Sequence, residues 1–262
     1  MNVQPSNVYH PPSKQRLDVV MAQRKLVASR SQAESWIRLG KVKVDGKVIT
    51  KAGFLVSENS VIVLADEEQY VSRAALKLKS ADGSFHIDWQ GKTVLDVGSS
   101  TGGFTQYALL HGAKKVFAVD VGTEQLHLSL RADERIELHE KTDIRDFWTE
   151  QAIDIVVGDV SFISLREILP HVSKLMSHDS VLVAMVKPQF EAGHSSVKHK
   201  GVIKNDRMRR DILQDFERWA VQHFTIVAKK DSEVAGSKGN VERFYLLCKP
   251  RVTTRTHKRT GA

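Results

Sequence analysis

The rhythm of apolar and polar positions changes near residue 70. Before it, the pattern is dense and short. Arg16–Met21 has helical spacing that ends near Lys25-Leu26-Val27. Ser31 and Glu34 stand in capping-box spacing before an apolar face of Ala33, Trp36 and Ile37, which Gly40 stops. Val42–Ile49 alternates around Asp45-Gly46, the signature of a tight hairpin, and Val61–Leu64 predicts a closing strand. After the polar Asp66–Gln69, a helix is predicted over Tyr70–Leu78. Strands are then predicted at 93–98, 114–121, 136–141, 153–159, 180–187, 224–231 and 243–248, with helical spacing over 104–111, 164–177 and 206–222. Such alternation predicts a mostly parallel sheet covered by helices on both faces. The expected organisation is therefore a disordered start (1–13), a small α+β module (14–64), a linker (65–71), a Rossmann-like α/β domain (72–250) and a basic tail (251–262). No internal repeat is visible.

Charge sharpens this division. The chain of 262 residues has a net charge of +8, which points to a polyanionic partner. Residues 1–64 carry ten Lys/Arg against four Asp/Glu, and residues 249–262 carry five Lys/Arg and no acid, which leaves 65–248 at −3. The excess positive charge thus sits in the module and the tail, not in the α/β domain. A single cysteine, Cys248, excludes an intrachain disulfide framework, and the eleven histidines show no metal spacing, so no metal is expected. The opening residues are polar and the apolar runs are strand-sized, so neither a signal peptide nor a membrane span is expected and a cytoplasmic location is.

The chemistry starts at Val94–Phe104. An apolar strand runs into Asp96 and a glycine turn at Gly98, and Gly102-Gly103 open a helix at Phe104. A dinucleotide fingerprint would read G-x-G-x-x-G. This one reads D-x-G-x-x-x-G-G and suits S-adenosylmethionine, which has an amino-acid tail and a ribose but no phosphate. The expected cofactor residues are Asp96, Gly98, Ser99, Ser100, Thr101, Gly102, Gly103 and Phe104, with Asp120 and Val121 after the second strand for the ribose. Asp143 after the third strand either meets the adenine amino group or caps the next turn, and Asp159 ends the fourth. Ligands of such sheets lie beyond the carboxyl ends of the strands, where Asp159 and Lys187 also stand. Lys187 follows a buried strand and precedes Pro188, and Gly236–Val241 forms a loop that delivers Glu242.

Two resemblances follow. Arg16-Leu17-Asp18, Ser29–Ala33 and Ile37–Gly46 resemble the S4 RNA-binding domain. Arg16, Arg30, Arg38, Lys41 and Lys43 are then the residues expected to reach RNA phosphates. The strand-end residues resemble the FtsJ/RrmJ type of 2′-O-ribose methyltransferase, whose Lys-Asp-Lys-Glu tetrad falls on Lys77, Asp159, Lys187 and Glu242. With Ser72–Leu78, Asp159–Ser164, Val186–Glu191 and Gly239–Glu242 added, residues 14–250 resemble the TlyA family, named for haemolysins. Ala74, Glu233 and Ser237 depart from the family's usual glycine and prolines. The resemblance implies methylation of cytidine ribose in 23S rRNA, and for some members of the family in 16S rRNA as well, with ribosomal RNA or subunits as partner. Two roles are open to Lys187: a neutral base that accepts the hydroxyl proton, or an ammonium that orients the hydroxyl. A non-enzymatic RNA-binding assembly factor would have no need of Lys187 and Glu242, and a cytolysin would need membrane segments that the chain does not show. The Lys198- and Lys200-bearing loop (193–201) is expected to contact RNA or close over the site. Arg207, Arg209 and Arg210 read as a solvated face.

Overall fold

The structure is a computed structural model that describes residues 14–27, 29–38, 40–64, 70–194, 202–203, 205–234, 236 and 239–250. The expected disordered start, most of the linker, the Lys198/Lys200 loop, Ser237 and the basic tail lie outside these residues. The chain divides into two compact units, Met1–Arg73 and Ala74–Ala262.

In the first unit, α1 (Leu17–Gln23) and α2 (Arg30–Arg38) bury Leu17, Met21, Ala33 and Ile37. The expected helix start falls at Arg30, where Ser29 Oγ accepts the Gln32 N–H at 3.2 Å. Strand β1 (Gln15–Arg16), which the pattern did not announce, pairs antiparallel with β4 (Leu55–Val56). Strands β2 (Val42–Val44) and β3 (Lys47–Ile49) form the expected hairpin. Asp45 and Gly46 both have positive φ, 50° and 81°, as a type I′ turn demands. Asp45 Oδ1 also accepts the Val61 N–H and so aligns β5 (Ile62–Leu64) along β2.

The second unit is built on a seven-stranded sheet. Helix α3 (Arg73–Phe85) precedes β6 (Thr93–Val97), α4 (Gly103–Leu110), β7 (Lys115–Val119), α5 (Leu128–Arg131) and β8 (Ile136–His139). There follow β9 (Ile153–Gly158), α6 (Leu165–Leu175), β10 (Met176–Val186), α7 (Pro188–Glu191) with a 3-10 turn, α8 (Asp206–Ala220), β11 (Thr225–Asp231) and β12 (Arg243–Cys248). The strand order is β11-β12-β10-β9-β6-β7-β8. Only β12 runs against its neighbours, as its antiparallel registers with β10 and β11 show. The core lies between the sheet and its helices, around Leu95, Phe117, Val156, Leu169, Val172, Phe216 and Tyr245.

Helix α3 outruns its expected end through Gly83, for a packing reason. Ala75, Leu78 and Ala81 are buried, and Asp82 accepts bonds from Trp89 Nε1 and Tyr107 Oη, both at 2.8 Å. Among the described residues no helix is long and apolar enough to cross a membrane, and no group of three or more His, Cys, Asp or Glu is placed to hold a metal ion.

Candidate active site

Chain order reverses between β6 and β9, which is where an open sheet leaves a crevice. The turn after β6 shapes one wall. Gly98 has φ 80°, and a Cβ there would come within 3.1 Å of the Asp159 carbonyl oxygen, so only glycine lets the two strand ends approach so closely. The crevice holds a cavity of about 320 Å³, lined by Gly98, Ser100, Asp120, Val121, Gln125, Thr142, Asp143, Asp159–Ile163 and Ile168, among others. Asp120 is fixed from both sides: Ser100 N–H donates to Oδ2 at 2.8 Å and Gly122 N–H to Oδ1 at 2.6 Å.

Not every residue expected at the cofactor faces the cavity. Gly102 serves packing, since a Cβ there would lie 2.5 Å from Leu130 Cδ1 and 2.6 Å from Leu126 Cδ1. Phe104 is buried against Phe244, and the Thr101 carbonyl accepts the His127 N–H. Gly103 is a buried first residue of α4. Asp143 lines the cavity and also caps its own turn: its Oδ1 accepts the Arg145 N–H at 2.9 Å, and the Arg145 guanidinium grips both carboxylate oxygens. Those bonds hold Asp143 below the usual carboxylate range.

Asp96 lies beneath the turn, fully buried. Burial pushes its carboxyl up to about 7, against the hydrogen bond that Thr105 Oγ1 donates to Oδ2 at 2.6 Å and with a further push from the Asp159 charge. Among the described residues, buried Asp96 Oδ1 and Ser99 Oγ have no hydrogen-bond partner. A ligand that brings hydrogen-bonding groups to this corner suits them, and the glycine turn leaves it room.

At the neighbouring strand ends, four charged side chains form two ion pairs. Gly158 in β9 faces Ala184 in β10, and Val186 faces Arg243 in β12, so Asp159, Lys187 and Glu242 follow or precede adjoining register positions at one end of the sheet. Lys187 Nζ lies 2.5 Å from Asp159 Oδ1 and donates to Ser161 Oγ at 2.8 Å. Lys77, from α3, is ion-paired with Glu242, and their residues are only 7% and 3% exposed. Gly236 makes room for that carboxylate, since a Cβ there would lie 2.8 Å from Glu242 Oε1.

In the first unit, Arg16 and Arg30 share buried Asp18 at 2.9 and 2.7 Å, while their own side chains are half exposed. The hydrogen bond from Arg16 is the largest cause that carries Asp18 well below the ordinary carboxylate value, and Arg30 adds to it against burial. Arg38 Nη2 lies 3.9 Å from Glu34 Oε2, and Lys43 is exposed on β2. Lys41 is half-buried just before that strand.

Gln125 and Thr142 line the cavity without a signal in the sequence that marks them, and Phe162 joins them from within Asp159–Ser164. Phe162 is 91% exposed with φ 68°, a conformation that a bulky residue rarely holds. An aromatic residue just past a strand-end aspartate was the one signal available. Gln125 and Thr142 are ordinary residues whose place depends on loop paths.

A glycine-turn crevice at the switch point of a seven-stranded sheet, with two lysine–carboxylate pairs at the neighbouring strand ends, defines a methyltransferase domain, which here follows an RNA-binding module along the chain. The chain belongs to the FtsJ-like methyltransferase family, whose model matches residues 70–251, and carries an S4 domain over residues 15–62. The particular relatives narrow this further. The chain is 40% identical over 238 residues to the 16S/23S rRNA (cytidine-2′-O)-methyltransferase TlyA of Mycobacterium tuberculosis, covering 88% of this chain and 89% of that one. It is 39% identical over 255 residues to the 23S rRNA (cytidine-2′-O)-methyltransferase TlyA of Campylobacter jejuni, covering 89% and 99%. A solved structure of a hemolysin-named protein from Streptococcus thermophilus superposes with a TM-score of 0.70 at 35% identity, over 92% of this chain and 90% of that one. The cofactor of the domain is S-adenosylmethionine.

Proposed function

We propose that the protein methylates the ribose 2′-hydroxyl of a cytidine in ribosomal RNA, in the large subunit and, as in its relative from M. tuberculosis, the small one. The observation that carries this reading is the pair of ion pairs, Lys187–Asp159 and Lys77–Glu242, at adjoining strand ends next to the crevice. A site for a reactive base edge would not need two lysines there, whereas a ribose hydroxyl needs a donor that holds its oxygen.

The residues fit the methyl donor. Gly98 and Ser100 would admit its amino-acid portion, and Asp120 would accept from its ribose hydroxyls. Bound there, it would supply a methyl group made electrophilic by the sulfonium. Lys187 does the orienting. As an ammonium it is ion-paired with Asp159 and donates to Ser161 Oγ, which leaves an N–H for the oxygen of the 2′-hydroxyl. The hydroxyl would keep its proton until methyl transfer is under way and then release it to the neighbouring Asp159 carboxylate or to water, so Lys187 holds the oxygen rather than stripping it in advance. Glu242 would keep Lys77 fixed beside the strand ends, so that the pair helps to hold the ribose in place. Phe162 offers an uncovered ring at the mouth, on which a base drawn out of its stack can rest.

The S4 unit supplies docking: Arg16 and Arg30 are held ready by Asp18, with Arg38, Lys41 and Lys43 alongside, for phosphates of folded RNA. Such a substrate supports a cytoplasmic location, with the ribosome or its subunits as partner. The test is transfer of labelled methyl from S-adenosylmethionine to ribosomal subunits. Label recovered as a 2′-O-methylcytidine, and lost in Lys187→Ala and Glu242→Ala, is the expected result. Absence of label on every subunit and on free rRNA, despite cofactor binding, would overturn it.

A further inference from the structure

We propose that Glu191 is a positioning residue that sets the distance between Lys187 and Asp159; this rests on the methyl-transfer reading of the site. The two partners of that ion pair stand on different loops. The ladder between β9 and β10 has its last register pair at Gly158 and Ala184, so Asp159 and Lys187 both lie beyond it. Their spacing depends on what ties the loops together past the sheet.

Glu191 makes that tie. It sits at the end of α7, one turn after Lys187, and the Phe190 N–H donates to the Lys187 carbonyl at 2.9 Å. Its carboxylate reaches across to the other loop and caps α6. Oε1 accepts the Leu165 N–H at 2.7 Å and Oε2 accepts Ser164 Oγ at 2.6 Å. The residue is 1% exposed. Arg166 Nε lies 3.4 Å from Oε2, so a cation faces the buried charge, and the same guanidinium is anchored on Asp215 at 2.8 Å. A helix start favours a carboxylate for its unpaired N–H groups and its dipole. The usual cap comes from the residue preceding the helix. Ser164 occupies that place and bonds the Arg166 N–H at 3.1 Å. The carboxylate of Glu191 is a second cap, brought from the Lys187 loop. It locks the segment Asp159–Ser164, with Ser161 that also bonds Lys187, to the turn that carries Lys187.

The amide in Glu191→Gln turns one acceptor into a donor and sets it against the Ser164 or Leu165 donor. Near-attack geometry is sensitive to displacements of about 1 Å, so kcat on ribosomal subunits should fall at least about tenfold. Binding of S-adenosylmethionine should change little, and a crystal structure of the variant should show Lys187 Nζ moved away from Asp159. Ser164→Ala should lower kcat in the same direction by less. Wild-type kcat in folded Glu191→Gln, an unmoved Lys187–Asp159 pair, or cofactor affinity lost in proportion to kcat would overturn the proposal. If Glu191→Gln does not fold, wild-type kcat in Ser164→Ala overturns it instead. Should the unmodified protein transfer no label, the methyl-transfer reading fails, and the Lys187–Asp159 separation in the variant still decides the role of Glu191.

Discussion

Asp96 shows how one buried side chain links the cofactor turn to stability. Its carboxyl is pushed from 3.8 up to about 7 by burial, so the folded chain binds a proton there over a range where the unfolded chain has released it. Stability attributable to this group therefore falls as pH rises from about 4 to about 7, and levels off above that. Asp96→Asn keeps an acceptor for Thr105 and removes the titration. Its melting temperature relative to the parent, measured without cofactor, should be more favourable at pH 8 than at pH 5. Gly102 is limited by space as well as by its φ of 89°. Gly102→Ala drives a methyl into Leu126 and Leu130, and thermal melting should report a loss of about 1–3 kcal/mol. Phe162 is exposed and touches the core little, so Phe162→Ala should leave melting unchanged and lower RNA methylation about ten- to a hundredfold, well beyond any change in cofactor affinity, as loss of a stacked base of about 1–3 kcal/mol requires.

At the scale of elements, α1 and α2 are joined through a charge as well as through Leu17, Met21 and Ile37. Asp18 on α1 binds Arg30 on α2 and Arg16 just ahead of α1. Its folded pKa is depressed, so its contribution is present above the unfolded value of 3.8 and is lost as pH falls through the folded one. Asp18→Asn should lower stability by about 1–3 kcal/mol at pH 7, with less difference from the parent at pH 2–3, measured by denaturant unfolding. The elements of both units were largely legible in the chain, because helix and strand periods and the φ demands of Asp45-Gly46 and Gly98 are local properties. Those that escaped are short: β1, β4, α5 and α7 span 2, 2, 4 and 4 residues, too few for a period to show. The end of α3 escaped for a different reason. The expected end at Leu78 follows the local pattern, and the run on to Phe85 goes with tertiary bonds, those of Trp89 and Tyr107 to Asp82.

At the scale of the whole molecule, positive charge gathered in residues 1–64 and 249–262 predicts binding to rRNA that weakens steeply with salt. Arg30→Gln with Lys43→Gln should lower the log–log salt slope by about 1.4 if each contacts one phosphate, and weaken methylation without touching cofactor affinity. A slope equal to that of the parent would remove both residues from the interface. The sequence by itself determined the two-part organisation, the alternating strands and helices, the glycine turn and the residues at each strand end, since all are set by neighbours within a few positions. Resemblance suggested that the lysines and carboxylates work together, but their pairing is a product of the tertiary fold. Lys77 and Glu242 are 165 positions apart and meet because β12 enters antiparallel between β10 and β11, which brings its start to the end where the parallel strands finish. Likewise the second cap that Glu191 provides to α6 exists only because β9 and β10 are neighbours. Sheet order is decided by how whole faces pack and bury, and no stretch of chain carries that information alone.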